Sequence, residues 1–392
     1  MKVDLKALRT IPMLMMVIFA LYISVSFNSV GIQAASYILL GLTLISFAFS
    51  AILIIRNDNI PILSMAVLSL MMLIEVISIL TSMEWKDWLY YTLSLLLLTF
   101  LFHYYKHDLT PLISGAAIGF SIAVYMQFYQ CIAHPEMWML GTDRTNAGYI
   151  LGGNYNSIGP RILCALLTCL LCLRISRKWF INLIPLCICS LLILFMIQSM
   201  TSVTCIILFL VLCIIPNTRI QHALITLIIF ATILFEFFVC LQGKGFENNE
   251  IARWFIIDIL GKDMTFTHRT DMWDSALQAI YASPLYGYGN PTEQWFYSKM
   301  SSFAYGPHNF FLGVMINGGI LAVMLFGIII IISLTRIYKM NSRFSNVVYA
   351  SISTLAIMML MEYYPFQFPI FLLTIAYYYR YFELTTAKQH LQ

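Results

Sequence analysis

From Gly319 to Leu334 the chain reads GILAVMLFGIIIIISL, sixteen residues with one serine and no charge. Few folds can hold such a run. In hydrocarbon its backbone N–H and C=O groups must satisfy one another, and a helix does this within one segment. With its flanks, the run is long enough to cross the ~30 Å apolar layer of a bilayer. Comparable runs recur along the whole sequence. The chain is 60% hydrophobic and 10% charged, against about 25% charged in ordinary soluble domains. The runs are continuous rather than alternating in ~10-residue pieces, which excludes a membrane barrel. The expected fold class is an all-α polytopic membrane protein.

Spans are expected near 11–27, 33–55, 60–82, 89–105, 111–133, 159–175, 180–198, 203–216, 220–242, 309–334, 345–364 and 366–382. Twelve spans put both termini on one side. Lys2, Lys6 and Arg9 precede the first span, and no small-residue cleavage pattern follows it, so it reads as retained. The short loops on one side carry Arg56, Lys106, Arg174, Arg177, Lys178, Arg219, Arg336, Lys339, Arg343, Arg380 and Lys388 besides those first three. The other side holds Lys86 and Arg144, with Arg161 just inside a span. This bias predicts cytoplasmic termini. The net charge of +4 follows from topology, and no nucleic-acid partner is expected.

All nine cysteines fall in or at the ends of spans. None has zinc-site spacing or an exported partner, so they read as small apolar fillers between helices. Most connections are short, but 134–158 and 243–308 are long and share the outer face. The chain thus divides into 1–242 (nine spans with the outer loop 134–158), the external loop 243–308, and 309–392 (three spans). Long loops in a compact fold are usually functional or disordered. Trp273, Tyr281, Trp295 and Tyr297 in the second loop argue for order. Within THRTDMWDSALQAIYASPLYGYGNP, Thr270 or Asp271 can cap a helix through Ala282, with Met272, Ala276, Ala279 and Ile280 on one face. Pro284, Gly287 and Gly289 then break it.

Three places carry residues suited to chemistry. His308 stands where the loop meets an apolar run. An interfacial histidine without a role is the ordinary reading. Against it stand the Gly306–Pro307 turn, which fixes the residue, and Asn309, which is costly to insert. A neutral imidazole here can take a proton from a sugar hydroxyl. Arg269, beside His268, is either a solvated loop cation or a fork for a diphosphate leaving group. Arg253 and Lys262 read first as loop cations near anionic headgroups. In GGNYNSIGPRIL, residues 152–163, Asn154 and Asn156 precede a span that opens with Pro160 and Arg161. That arginine either snorkels outward or faces a cavity and binds phosphate. Glu75, Glu236 and Glu362 lie in or at the ends of spans, where a buried carboxylate is functional or paired with a buried cation. No phosphate-binding glycine motif and no acidic metal-ligand cluster is present, so neither nucleotide, metal nor other cofactor is expected.

Together, Arg269 with MWDSAL leading to SPLYGYG, then HNFFLGVMINGG opening a span, with NYNSIG upstream, resemble the O-antigen polymerase and O-antigen ligase superfamily. The likeness covers about 150–330 and the layout of spans. It implies a GT-C-like glycosyltransferase of the bacterial inner membrane, drawing on undecaprenyl-diphosphate-linked oligosaccharides as donor and acceptor. Membrane lipids and a chain-length regulator protein would be partners. Arg269 would grip the diphosphate and His308 would act as base, with Arg161, Arg253, His268, Asn154, Asn156 and Asn309 binding substrate. The sequence departs from the ligase pattern at one place. Ligases carry a Thr/Ser-Arg pair where the middle hairpin meets the outer face, and this chain reads QSMTSVT, Gln198 to Thr204. Either Arg161 or Arg253 supplies the second cation there, or Ser199, Thr201 and Ser202 donate hydrogen bonds. The polymerase is therefore favoured over the ligase. A flippase or secondary transporter is the rival from another class, but it would show repeated halves and polar residues along many spans.

Overall fold

The computed structural model describes residues 5–57, 60–138, 148–152, 155–243, 250, 269–300 and 306–390. Among them the regular structure is entirely helical. Nine helices precede the long loop: α1 (Leu5–Ser24), α2 (Gln33–Asn57), α3 (Ile62–Leu80), α4 (Lys86–Tyr104), α5 (Thr110–Ala133), α6 (Ile158–Ile175), α7 (Phe180–Met196), α8 (Met200–Ile214) and α9 (Thr218–Phe238). The loop contributes α10 (Arg269–Ala282) and α11 (Glu293–Lys299). The chain closes with α12 (Phe310–Tyr338), α13 (Arg343–Met361) and α14 (Gln367–His390).

Each of the twelve expected spans coincides with one of α1–α9 or α12–α14. Eight of these helices are long and apolar enough to cross a membrane: α2, α3, α5, α6, α7, α9, α12 and α13. The apolar part of α1 and the whole of α8 are shorter, and α4 and α14 are diluted by polar, tyrosine-rich turns. The protein is an all-α polytopic membrane protein. Large apolar side chains such as Ile45, Leu227, Phe230 and Phe237 stay exposed on α2 and α9, as expected of helices whose outer stripe meets lipid rather than water. All nine cysteines are free and seven are buried, in keeping with their role as fillers.

The centre of the bundle is α6, with its cysteine- and leucine-rich faces fully enclosed by α5, α7, α13 and α14. At the end opposite the long loop, arginines tie neighbouring segments. Arg9 pairs with Asp108 at 2.9 Å, Arg174 Nε donates to Thr386 at 2.6 Å, and the Arg336 guanidinium lies 3.7 Å above the Tyr377 ring.

The loop end is organised by a break in α12. Gly318 (φ −142°, ψ 17°) and Gly319 (φ 61°, ψ −159°) leave helical geometry and divide α12 into a two-turn piece and a long one. Freed backbone groups at such a depth are tolerated only where protein satisfies them. The SPLYGYGN segment does so. Tyr288 N donates to Ile316 O at 2.7 Å, Gly289 N to Asn317 O at 2.8 Å, and Ile320 N to Pro284 O at 2.9 Å. The same segment is anchored to the end of α3: Asn290 N donates to Ser78 Oγ at 2.8 Å and Thr81 Oγ1 to the Tyr288 carbonyl at 2.9 Å. The external loop is thus stitched into the bundle, and the two-turn piece Phe310–Asn317 is held across the end of α13. Asn309 Nδ2 reaches the Leu360 carbonyl, Asn317 Nδ2 reaches the Tyr363 hydroxyl at 2.6 Å, and the Tyr363 ring covers Gly313 between them.

Candidate active site

The described part of the loop helix α10 covers Arg269–Ala282, so Thr270 and Asp271 stand within the helix rather than capping it. Its buried face holds Met272, Ala276, Ala279 and Ile280 as the periodicity predicts, and adds Trp273 and Thr270. Trp273, fully enclosed, points Nε1 at the His308 carbonyl, 3.5 Å away. That contact brings the start of α10 to the Pro307 turn, so the middle of the long loop meets its exit.

His308 has φ 46°, the left-handed region that costs a non-glycine residue roughly 1–2 kcal/mol. The geometry is held from several sides. Gly306 and Pro307 fix the approach, Trp273 meets the carbonyl, and the imidazole Nδ1 lies 3.0 Å from Glu362 Oε1. Glu362 follows α13 directly, in the turn Glu362-Tyr363-Tyr364-Pro365-Phe366. Burial pushes its carboxyl up, but the adjacent His308 imidazole and the Arg269 guanidinium outweigh this, so the carboxyl sits below its ordinary value. The Glu362 carboxylate thus feels both the imidazole at 3.0 Å and the Arg269 guanidinium.

Asn309 caps α12, its Oδ1 accepting from Leu312 N at 2.9 Å, and is itself fully buried. Its Nδ2 donates to Glu236 Oε2 at 2.8 Å. The residue therefore pins α12 to α9 and to the end of α13. Replacing it with alanine removes a cap worth about 1 kcal/mol and leaves a buried carboxylate oxygen without its donor, a further ~1–3 kcal/mol. Asn309→Ala should therefore lose about 2–4 kcal/mol of folding stability, read by denaturation of the purified protein in detergent.

Glu236 lines an apolar cavity of about 500 Å³ between α9, α12, α13 and α14. Phe311, Leu312, Met315 and Phe326 form its α12 wall, and Ile229 and Phe237 face them from α9. Its α12 wall begins at Phe311, three residues after His308, and its Glu236 accepts from Asn309, the neighbour of His308.

Arg161 stands elsewhere. It is 7% exposed, turned inward instead of snorkelling, and lines a separate cavity of about 260 Å³. Tyr364, buried in the turn after α13, is within electrostatic reach of both Arg161 and Arg269. The backbone of Asn156 joins the same wall, its carbonyl accepting from Tyr364 OH at 3.3 Å. Asn154, Arg253, Lys262 and His268 lie outside the described residues. The Gln198–Thr204 turn folds against α6, and Ser199 Oγ donates to Ser202 Oγ at 2.9 Å, so that hydroxyl is already engaged. Sequence reasoning left Glu362 among three buried carboxylates and passed over Tyr363 and Tyr364. The polar, proline-containing EYYPFQFP between two apolar runs was the available signal.

Fold and site define a multi-pass helical membrane protein with a coupled His–Glu–Arg corner where an apolar groove reaches one end of the bundle. Residues 156–327 match the family model described as O-antigen ligase. This supports a place in the O-antigen polymerase and ligase superfamily, whose members are glycosyltransferase- or ligase-type enzymes of polysaccharide biosynthesis, and does not separate the two activities. The matched segment includes Arg161, Arg269 and His308, and stops short of Glu362. No curated protein matches the chain.

Proposed function

We propose that this protein polymerises lipid-linked oligosaccharide repeat units, transferring a glycan from an undecaprenyl-diphosphate carrier to the hydroxyl of a second carrier-linked unit. The observation that carries the reading is the His308–Glu362 pair, within reach of the Arg269 charge, where the apolar groove ends. The groove suits a polyprenyl chain. The donor's diphosphate would then lie at the groove's end, by Arg269, whose planar fork matches two phosphate oxygens. With the proton on Nδ1, which faces Glu362 Oε1 at 3.0 Å, Nε2 of His308 carries the lone pair. The acceptor hydroxyl oxygen attacks the anomeric carbon and its proton passes to Nε2. The bond from that carbon to the diphosphate oxygen breaks, and the carrier leaves as the free diphosphate. Glu362 steadies the imidazolium formed. In this reading the site faces the outer side of the bacterial inner membrane and both termini are cytoplasmic, as the Lys/Arg bias supports.

The polymerase is favoured because 198–204 lacks the arginine of the ligase pattern. The ligase reading, in which the glycan passes to a lipid A core, is favoured by the description of the matched family. The gathering of His308, Glu362 and Arg269 at one end of the bundle supports either transferase over a flippase or transporter. Gene deletion discriminates. A surface carrying one repeat unit per anchor supports the polymerase, polymer without an anchor supports the ligase, and an unchanged surface glycan contradicts both.

A further inference from the structure

Arg161 is buried in α6 without a carboxylate at ion-pair distance among the described residues, an arrangement that is costly unless something supplies the missing charge. Its guanidinium is well oriented. Nε donates to the Ser24 carbonyl at 3.2 Å, Nη1 donates to the Ser157 carbonyl, and the Phe368 ring lies 4.7 Å beneath. Two of five N–H donors are thus used on described partners. The cavity of about 260 Å³ against it is lined by Tyr22, Ser24, Ser26, Asn28 and Ser36 as well as Arg161. Ser24 is 1% exposed, and its hydroxyl has no hydrogen-bond partner among the described residues. An oriented cation, an orphaned hydroxyl and a pocket lined with further hydroxyl and amide side chains form a built site for an anion. The site needs little rearrangement to fill.

We infer that this cavity is a second anion subsite, which holds the negatively charged group of the acceptor while the donor's diphosphate occupies the Arg269 corner. Its role as an acceptor site rests on the proposed glycan transfer, whereas the anion binding itself does not. Placement supports the division. The Arg161 pocket is walled by the end of α1, the start of α2 and α6, whereas the His308 corner is built from α10, α12 and the turn after α13, so anions at the two would be held on different elements. The shared chemistry is an oxyanion, either the diphosphate of a carrier or the carboxylate of an acidic sugar.

The test uses the full chain in detergent, with inorganic pyrophosphate and glucuronate as probes and the thermal midpoint as readout. Arg269→Gln removes the cation of the other corner. In that background a saturable rise with at least one probe is expected. Pyrophosphate points to the carrier diphosphate, and glucuronate to a sugar acid. Adding Ser36→Trp, which fills the cavity from α2, should abolish the rise. Adding Ser24→Ala instead should leave the anion-free midpoint unchanged or higher, because it removes an unpartnered hydroxyl, and weaken anion binding about tenfold. No rise in Arg269→Gln with either probe, or a rise that survives Ser24→Ala and Ser36→Trp at full affinity, overturns the proposal. Transfer is not read, so neither result bears on the proposed polymerase activity.

Discussion

Replacing His308 with alanine should slow glycan transfer by roughly 10²–10⁴-fold, the range for losing a positioned general base. The loss should fall on the chemical step. His308 is reached by substrate in this account but does little packing, and its side chain is about a fifth exposed. The carbonyl contact to Trp273 belongs to the backbone and persists, but Glu362 loses its imidazole partner, at about 1–3 kcal/mol of stability. The rate loss should far exceed any loss of folded protein. Arg269→Lys belongs to the same prediction. The ammonium keeps the charge that Glu362 and Tyr364 feel, but loses the two-pronged grip on diphosphate. One charge-assisted hydrogen bond, at about 1.5–3 kcal/mol, translates to roughly 10–100-fold in rate. Conversion of purified lipid-linked repeat units, followed at equal enzyme, measures both. Near-normal chain growth by His308→Ala would return the histidine to an interfacial role.

Gly287→Ala should cost about 2–5 kcal/mol and loosen the external loop. Gly287 has φ +65°, where a Cβ costs about 1–2 kcal/mol. That Cβ would also collide with the Ile316 carbonyl oxygen, a backbone atom that no rotamer change can move aside. Overpacking of that kind adds about 1–3 kcal/mol. The damage should be directional. The Tyr288–Ile316 and Gly289–Asn317 hydrogen bonds close the break in α12, so their loss exposes backbone at the Gly318–Gly319 step. Amide exchange in 284–290 and 316–320 should rise well above that of α6. Unchanged exchange there, with unchanged stability, would mean the loop merely rests against the bundle.

The span layout could be read from hydropathy because hydrocarbon imposes a simple rule on every segment: apolar side chains outward and all backbone groups paired within the helix. Hence α1–α9 and α12–α14 fall where the apolar runs predict them. Helix α10 was readable for a different reason, the 3.6-residue spacing of Met272, Ala276, Ala279 and Ile280. Gly318–Gly319 was visible only as part of HNFFLGVMINGG. What those glycines do depends on a segment some thirty residues earlier, and no local pattern reports such a long-range contact. The same limit applied to the site. His308 and Arg269 stood out as costly residues at a boundary, but the carboxylate that completes them, Glu362, comes from the turn after α13. Asn309, polar and at a span's start, suited substrate binding on its sequence position, and its cap to Leu312 and its bond to Glu236 were not legible there.

The central claim is that His308 and Glu362 act as one unit on the acceptor proton. A double-mutant cycle tests it most directly: single-turnover transfer by His308→Ala, Glu362→Gln and the pair together, at matched folded protein. Groups that act as a unit are not additive. The account predicts that Glu362→Gln alone slows transfer and that the double variant falls within about threefold of His308→Ala. If the two losses instead multiply, the carboxylate and the imidazole work independently, and the pair at the end of the groove is not the base.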